Sequence, residues 1–281
     1  MFRSDIRTLL AAAALSAALS GCSDEEKEAQ PGTVIFRIAG EDIAYDSLTG
    51  EDGYNHVKYA TIEYAYMIVK TPKISPKGHA SGTAAMSGAP GAKLAGGAIA
   101  MHTGVPLSGT YAVNLMDTVE LGRLEGVEAG DYSAPPSINV YNPTAEERAA
   151  VVDKGGALAH LPQGYSFRFG GMIHEREGGA SHRYEIRENF TGKIDVEEYP
   201  PAAGEGTPLI LKSGGTLEVQ FHPHIDHALE VICHDNKLDF GILEKSGDTV
   251  VFSPTMNEQF YDAIVGHINR GDHWDVNVIP E

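Results

Sequence analysis

The stretch "TLEVQFHPHIDHALEVICHD", Thr216 to Asp235, gathers His222, His224, His227 and His234 with Cys233. Imidazole nitrogen and thiolate sulfur are donors that zinc and copper take, and histidine is the commonest metal ligand. In "TLEVQFHPH" a strand period puts Leu217, Val219 and Phe221 on one face, and Glu218, Gln220, His222 and His224 on the other. His222 and His224 then stand about two rises of 3.3 Å apart, close enough to reach one ion. Pro223 between them cannot donate to a ladder, which predicts an edge or the end of a strand, with space for a ligand. "DHALEVICHD" reads two ways. As a helix it aligns His227, Glu230 and His234, and as a strand it turns Leu229, Val231 and Cys233 inward. Both place Cys233 among apolar side chains, the setting of an inert thiol more than of a ligand.

A second set lies in "YSFRFGGMIHER". Tyr165, Phe167, Phe169 and Ile173 share one parity, while Met172 and His174 share the other with Arg168 and Arg176. A thioether and an imidazole leaving one face suit copper, whereas imidazole with carboxylate suits zinc. The two arginines oppose this, since they would repel a cation, and Met172 also suits a gap-filling role. The metal ligands predicted from the sequence are therefore His222, His224 and His227, with His234 next and Met172 and His174 as a separate or completing set. Copper is the first choice and zinc the second.

Catalytic patterns are weak. No GxSxG, P-loop, GxGxxG or HExxH spacing occurs, and Cys233, His234 and Asp235 are adjacent, so on a regular element their side chains diverge. The chain reads as a non-catalytic binding protein, with a thiol enzyme built on Cys233 as the distant third choice. Trp274 and the tyrosines could stack on sugars, but core packing accounts for most of them.

The elements that must position these groups are strands. Short alternating segments rich in Val, Ile, Tyr and Phe, such as "TVIFRI", "YATIEYAYMIVK", "SINVY", "HRYEIRENF" and "WDVNVI", recur from Thr33 onward between Gly and Pro punctuation. This pattern predicts an all-β fold, an antiparallel two-sheet sandwich of immunoglobulin-like or jelly-roll-like kind, in one domain over 33–281. Between Thr71 and Gly109 the composition shifts to Gly, Ala, Ser and Pro, which predicts a flexible insertion over 71–109 carrying His79, Met86, Met101 and His102. One clear helix is expected at "TMNEQFYDAIVGHINRG". There Thr255 and Glu258 have capping-box spacing, and Phe260, Ile264 and Ile268 form one apolar face. "AEERAAVVDKGG" suggests a second, short helix.

At the N-terminus, Arg3 and Arg7 precede the apolar run "LLAAAALSAAL", too short to span a bilayer and suited to a signal-peptide core over 1–21. "LSGC", Leu19 to Cys22, resembles the lipobox of bacterial lipoproteins. That resemblance implies a lipid on Cys22 and a protein held on the membrane of the cell envelope, facing the periplasm or the surface. Ser23 after the cysteine points to the outer membrane by the sorting preference of enterobacterial lipoproteins. "SDEEKEAQPG" is too polar to fold and reads as a tether over 22–32. Without residues 1–21 the chain carries a formal charge of −19, which argues against nucleic acid or an anionic lipid surface as partner. With Cys22 lipidated, Cys233 has no partner for an intramolecular disulfide.

Several segments together resemble the metallo-mystery pair (MbnP-like) group of bacterial envelope β-sandwich lipoproteins. They are "KYATIEYAYMIV", "YAVNLMDTVELGRLEGVEAGDYSAPPSINVY", "GYSFRFGGM" and "GTLEVQFHPHIDHALEV". The resemblance implies copper as cargo and a periplasmic heme protein as partner. The chain departs from the group in lacking its four-cysteine pattern and in placing its one tryptophan, Trp274, near the C-terminal end. A metal-free alternative fits the same architecture: an interaction lipoprotein whose sandwich presents the 71–109 loop to a protein or a glycan.

Overall fold

The computed structural model describes residues 29–40, 59–77, 104–174, 180–196, 208–225, 241–271 and 274–279. The segment 1–21 expected to be a signal peptide, with Cys22 and Ser23, lies outside these residues.

β-branched and aromatic residues at period two need a pleated, half-buried surface, and the chain supplies it as sixteen strands among the described residues. The first eight are β1 (Gly32–Ile38), β2 (Tyr59–Ser75), β3 (Val105–Pro106), β4 (Thr110–Asn114), β5 (Val119–Val127), β6 (Gly130–Asp131), β7 (Ala134–Val140) and β8 (Val152–Asp153). The others are β9 (Phe167–His174), β10 (Ser181–Glu188), β11 (Gly192–Asp195), β12 (Ile210–Leu211), β13 (Thr216–Pro223), β14 (Lys245–Ser246), β15 (Thr249–Phe252) and β16 (Trp274–Ile279). One α-helix, α1 (Glu258–Ile268), stands between the last two strands.

These strands form two principal sheets. The smaller has the order β16-β13-β1-β5, and the larger runs β11-β7-β2-β9-β10-β15-β14, with β3 and β4 on β2 and β8 on β4. Their inner faces meet in one core. Val34, Phe36 and Ile38 of β1 and Leu217, Val219 and Phe221 of β13 pack there with Met67, Phe167, Phe169, Tyr184 and Ile186 of the larger sheet. Phe260, Ile264 and Ile268 bring the apolar face of α1 into the same core. The molecule is an all-β sandwich. Most neighbours are antiparallel, but β1 runs parallel to β13, β10 to β15 and β4 to β8.

Four expectations from the sequence need correction at their boundaries. The long strand β2 continues to Ser75, past the Thr71 limit, and Val105–Pro106 pairs back onto it. Thr71 and Pro72 look like breakers, yet a register irregularity between Lys70 and Lys73 absorbs them, with Thr71 at φ 50. A bulge leaves its extra residue unpaired and so tolerates proline. The remainder of that insertion, 78–103 with His79, Met86, Met101 and His102, lies outside the described residues.

The last residues of the segment expected to be a tether, 22–32, are held by the fold. The Gln30 amide donates to Ser213 Oγ at 2.8 Å, the Gly214 amide donates to the Gln30 carbonyl, and Gly32 already belongs to β1. The capping box sits elsewhere: Thr144 and Glu147 exchange the two reciprocal bonds at 3.0 and 3.2 Å. They open only a 3₁₀ turn, Glu147–Ala150, where a short helix is expected. At α1 the residue before the helix is Asn257, whose side chain ties to Glu244 and to the Val251 carbonyl, while Thr255 Oγ1 meets Ser253 Oγ.

Strand β2 is apolar on both faces for a structural reason. Ala65, Met67 and Val69 face the main core. On the other side Ile68 packs with Ala112, Val151, Ala157 and Leu161, under the segment that carries the 3₁₀ turns Glu147–Ala150 and Ala157–His160.

Candidate metal centre

Alternation along β13 decides where its imidazoles go. Leu217, Val219 and Phe221 are buried in the core, so His222 leaves from the outer face of the smaller sheet. Pro223 ends the strand. The last β1 partner of β13 is Ile38, opposite Phe221, and the Phe221 carbonyl still accepts the Ala39 amide at 3.1 Å. Pro223, two residues on, falls beyond the end of β1, where a donor has no ladder to join.

The third element is β16, which pairs antiparallel with β13 and sets Asp275 directly opposite His222. Trp274 before it is fully buried, and its indole Nε1 donates to the Ile268 carbonyl at 2.9 Å. A strand that commits Trp274 to the core sends Asp275 to the opposite face. His224 Nε2 lies 3.0 Å from Asp275 Oδ2. His222 Nε2 lies 2.9 Å from the Gln220 amide, and its Nδ1 is buried without a partner. Burial lowers the pKa of His222, as does His224, while Asp275 raises it; the net direction is down. His222 is thus a neutral imidazole at pH 7, the form that ligates metals.

Beside this end the polar face continues as ion pairs. Arg37, opposite Gln220 in register, donates from Nε to Glu218 at 2.8 Å and lies 3.7 Å from Glu120, which also pairs with Arg123. These are partly exposed structural contacts.

The two predicted sets are not brought together. Phe167, Phe169 and Ile173 of β9 enter the core, so Met172 lies on the outer face of the larger sheet, with Arg183 as its partner on β10. The core separates that face from His222. The backbone of His174 ends β9, and His227, Cys233 and His234 lie outside the described residues. Among the described residues no three His, Cys, Asp or Glu side chains stand close enough together to hold an ion. The compact unit here is the His224–Asp275 pair with His222 alongside.

Sequence reasoning missed Asp275, because nothing in "WDVNVI" reveals that this strand pairs with β13. It also missed a polar cluster on the outer face of the larger sheet. Glu185, 5% exposed, receives Arg168 Nη2 at 2.8 Å, Arg187 Nε and the Tyr64 hydroxyl at 3.1 Å. Tyr64 reaches Glu185 across Gly170, where an added Cβ would stand 2.5 Å from the tyrosine oxygen and closer still to the Tyr184 carbonyl. Arg168 stacks over the Tyr64 ring at 5.2 Å, and Tyr66 stacks on His160 at 4.7 Å. The signal was the shared parity of Arg168 and Gly170 on one strand and of Glu185 and Arg187 on the next.

Comparison of the chain with protein-family models, with curated proteins and with solved structures found no match in any of the three.

Proposed function

We propose that this protein is a lipid-anchored β-sandwich of the bacterial envelope that binds a transition metal, zinc or copper(II), where β13 ends against β16. His222, His224 and Asp275 are the donors proposed for it, and binding an ion would have to draw them closer together than they stand here. The observation that carries the reading is the 3.0 Å contact of His224 Nε2 with Asp275 Oδ2, made beside the neutral His222. Two imidazoles and a carboxylate are a borderline-hard set that zinc and copper(II) accept. Met172 lies on the far face, so the thioether that would favour copper(I) belongs to another surface. His227, three residues beyond His224 in the sequence, is the next donor along the chain. The reading is non-catalytic. A heme-protein partner follows only from the metallo-mystery pair resemblance, and so remains part of the proposal.

The test is the metal content of tag-free mature protein after equilibration with zinc or copper(II) and gel filtration, beside a His222→Ala, His224→Ala double variant and Asp275→Asn. One equivalent in the parent, lost in the double variant and weakened in Asp275→Asn, is expected. Metal at a hundred times its Kd should also add about 2.7 kcal/mol to parent stability. Equal, substoichiometric metal in all three proteins would overturn the reading and leave an interaction lipoprotein without metal.

A further inference from the structure

Glu188 closes β10 on the core side, three residues after Glu185. Tyr184 and Ile186, of the same parity, are core residues, and Glu188 is itself 0% exposed. Its Oε1 accepts one long bond, 3.4 Å, from Asn269 Nδ2 just past the end of α1. Its Oε2 is buried without a partner, and so is Asn269 Oδ1. A carboxylate in this position would face the negative end of the α1 dipole with only that one long amide bond to offset its burial. A carboxylic acid has a proton to give. Turning the Asn269 amide end for end, which hardly alters the positions of its atoms, sets Oδ1 to accept that proton.

Tyr261 of α1 feels the Glu188 charge, and Glu188 itself is governed by burial and the Asn269 bond, with no basic side chain among the influences on it. Burial pushes Glu188 up to about 8, with the Asn269 amide pulling the other way.

We propose that Glu188 is a proton-binding site that latches the last turn of α1, and that losing its proton to solvent loosens that turn and the packing of Trp274. The connection is direct. Asn269 touches Glu188, and the carbonyl of the preceding residue, Ile268, accepts the Trp274 indole. The proposal does not rest on metal binding, since it invokes none of His222, His224 and Asp275.

Trp274 is the only tryptophan, so selectively excited tryptophan emission reports on its surroundings and on no other indole. Emission maximum and acrylamide quenching of the mature, metal-free protein are followed from pH 6 to 9.5, beside Glu188→Gln. The expected result is a red shift and increased quenching in the parent, half complete near pH 8, and neither change in Glu188→Gln. A parent that stays fixed over the range, or a variant that shifts alike, overturns the proposal. Where Glu188→Gln fails to fold, infrared difference spectra of the parent decide: a protonated carboxyl band that disappears over the same pH range supports the latch, and its absence at pH 6 refutes it.

Discussion

Glu185 and Glu188 sit three residues apart on one strand, both are nearly or fully buried, and their pKa values move in opposite directions. For Glu185, burial is the largest single influence and raises its pKa, but hydrogen bonds and charge from Arg168 and Arg187 together outweigh it and hold the group below the usual carboxylate range. Glu188 has the burial without the arginines. Tyr64 records the anion beside it: burial first, then the Glu185 charge, pushes its hydroxyl up to about 12. The difference teaches that burial alone does not decide ionisation. The face of the strand does, because only the outer face lets arginine stems lie along the sheet with their heads near water.

The strongest way to break this comparison is Arg168→Met, which leaves Glu185 buried with Arg187 alone. A loss of about 3 kcal/mol is expected in urea melts at pH 7. A carboxylate held below its unfolded value contributes stability above that value and loses it as the pH falls through the folded one. The gap between parent and variant should therefore close in strong acid, and an equal gap at pH 7 and pH 2 would show that Glu185 is not the cause.

Gly170→Ala attacks the same cluster through shape. The new methyl meets Tyr64 and the Tyr184 carbonyl, and about 2 kcal/mol should be lost. Little change in melting would mean that Tyr64 need not cross Gly170 to reach the carboxylate.

For Glu188 the sign reverses. A group neutral in the folded state up to about 8 but ionised in the unfolded chain from about 4.5 subtracts stability progressively across that window. Glu188→Gln should thus gain roughly 1–2 kcal/mol at pH 9 and nothing near pH 4. Parallel stability curves for parent and variant would place the ionised form in the fold after all. The smallest effect is expected from Tyr64→Phe, about 1 kcal/mol for one hydrogen bond to an anion that keeps both arginines. Its absence in a melt accurate to a few tenths would make that hydroxyl incidental.

What could be read from the sequence was what period two encodes. The inward set of β13, the core face of β9 and the apolar stripe of α1 follow from local alternation, and so does the all-β sandwich. His222 is on the polar face for the same reason. Pairing was not legible, because which strand lies beside which depends on contacts far apart in the chain. Asp275 opposite His222, the arginines around Glu185 and the parallel β1–β13 ladder are all of that kind. Breakers misled where tertiary structure overrode them: Thr71–Pro72 reads as a loop start but is a bulge inside β2. The capping box misled through composition alone, since Thr255–Glu258 and Thr144–Glu147 share a spacing and only the second closes.

The parallel ladder of β1 and β13 has a consequence for the order in which the protein assembles. Gln30 and Ser213, which clasp the start of that ladder, are 183 positions apart. A chain made at about 5–20 residues per second exposes one edge of β1 for on the order of ten seconds or longer before β13 exists. The other edge is covered sooner, because β5 pairs with β1 from Val119 onward. Val34, Phe36 and Ile38 thus begin on a two-stranded ribbon, which is marginal in water by itself. The smaller sheet is completed last, from both ends of the chain, so this fold is well suited to a polypeptide kept open until its whole length is present.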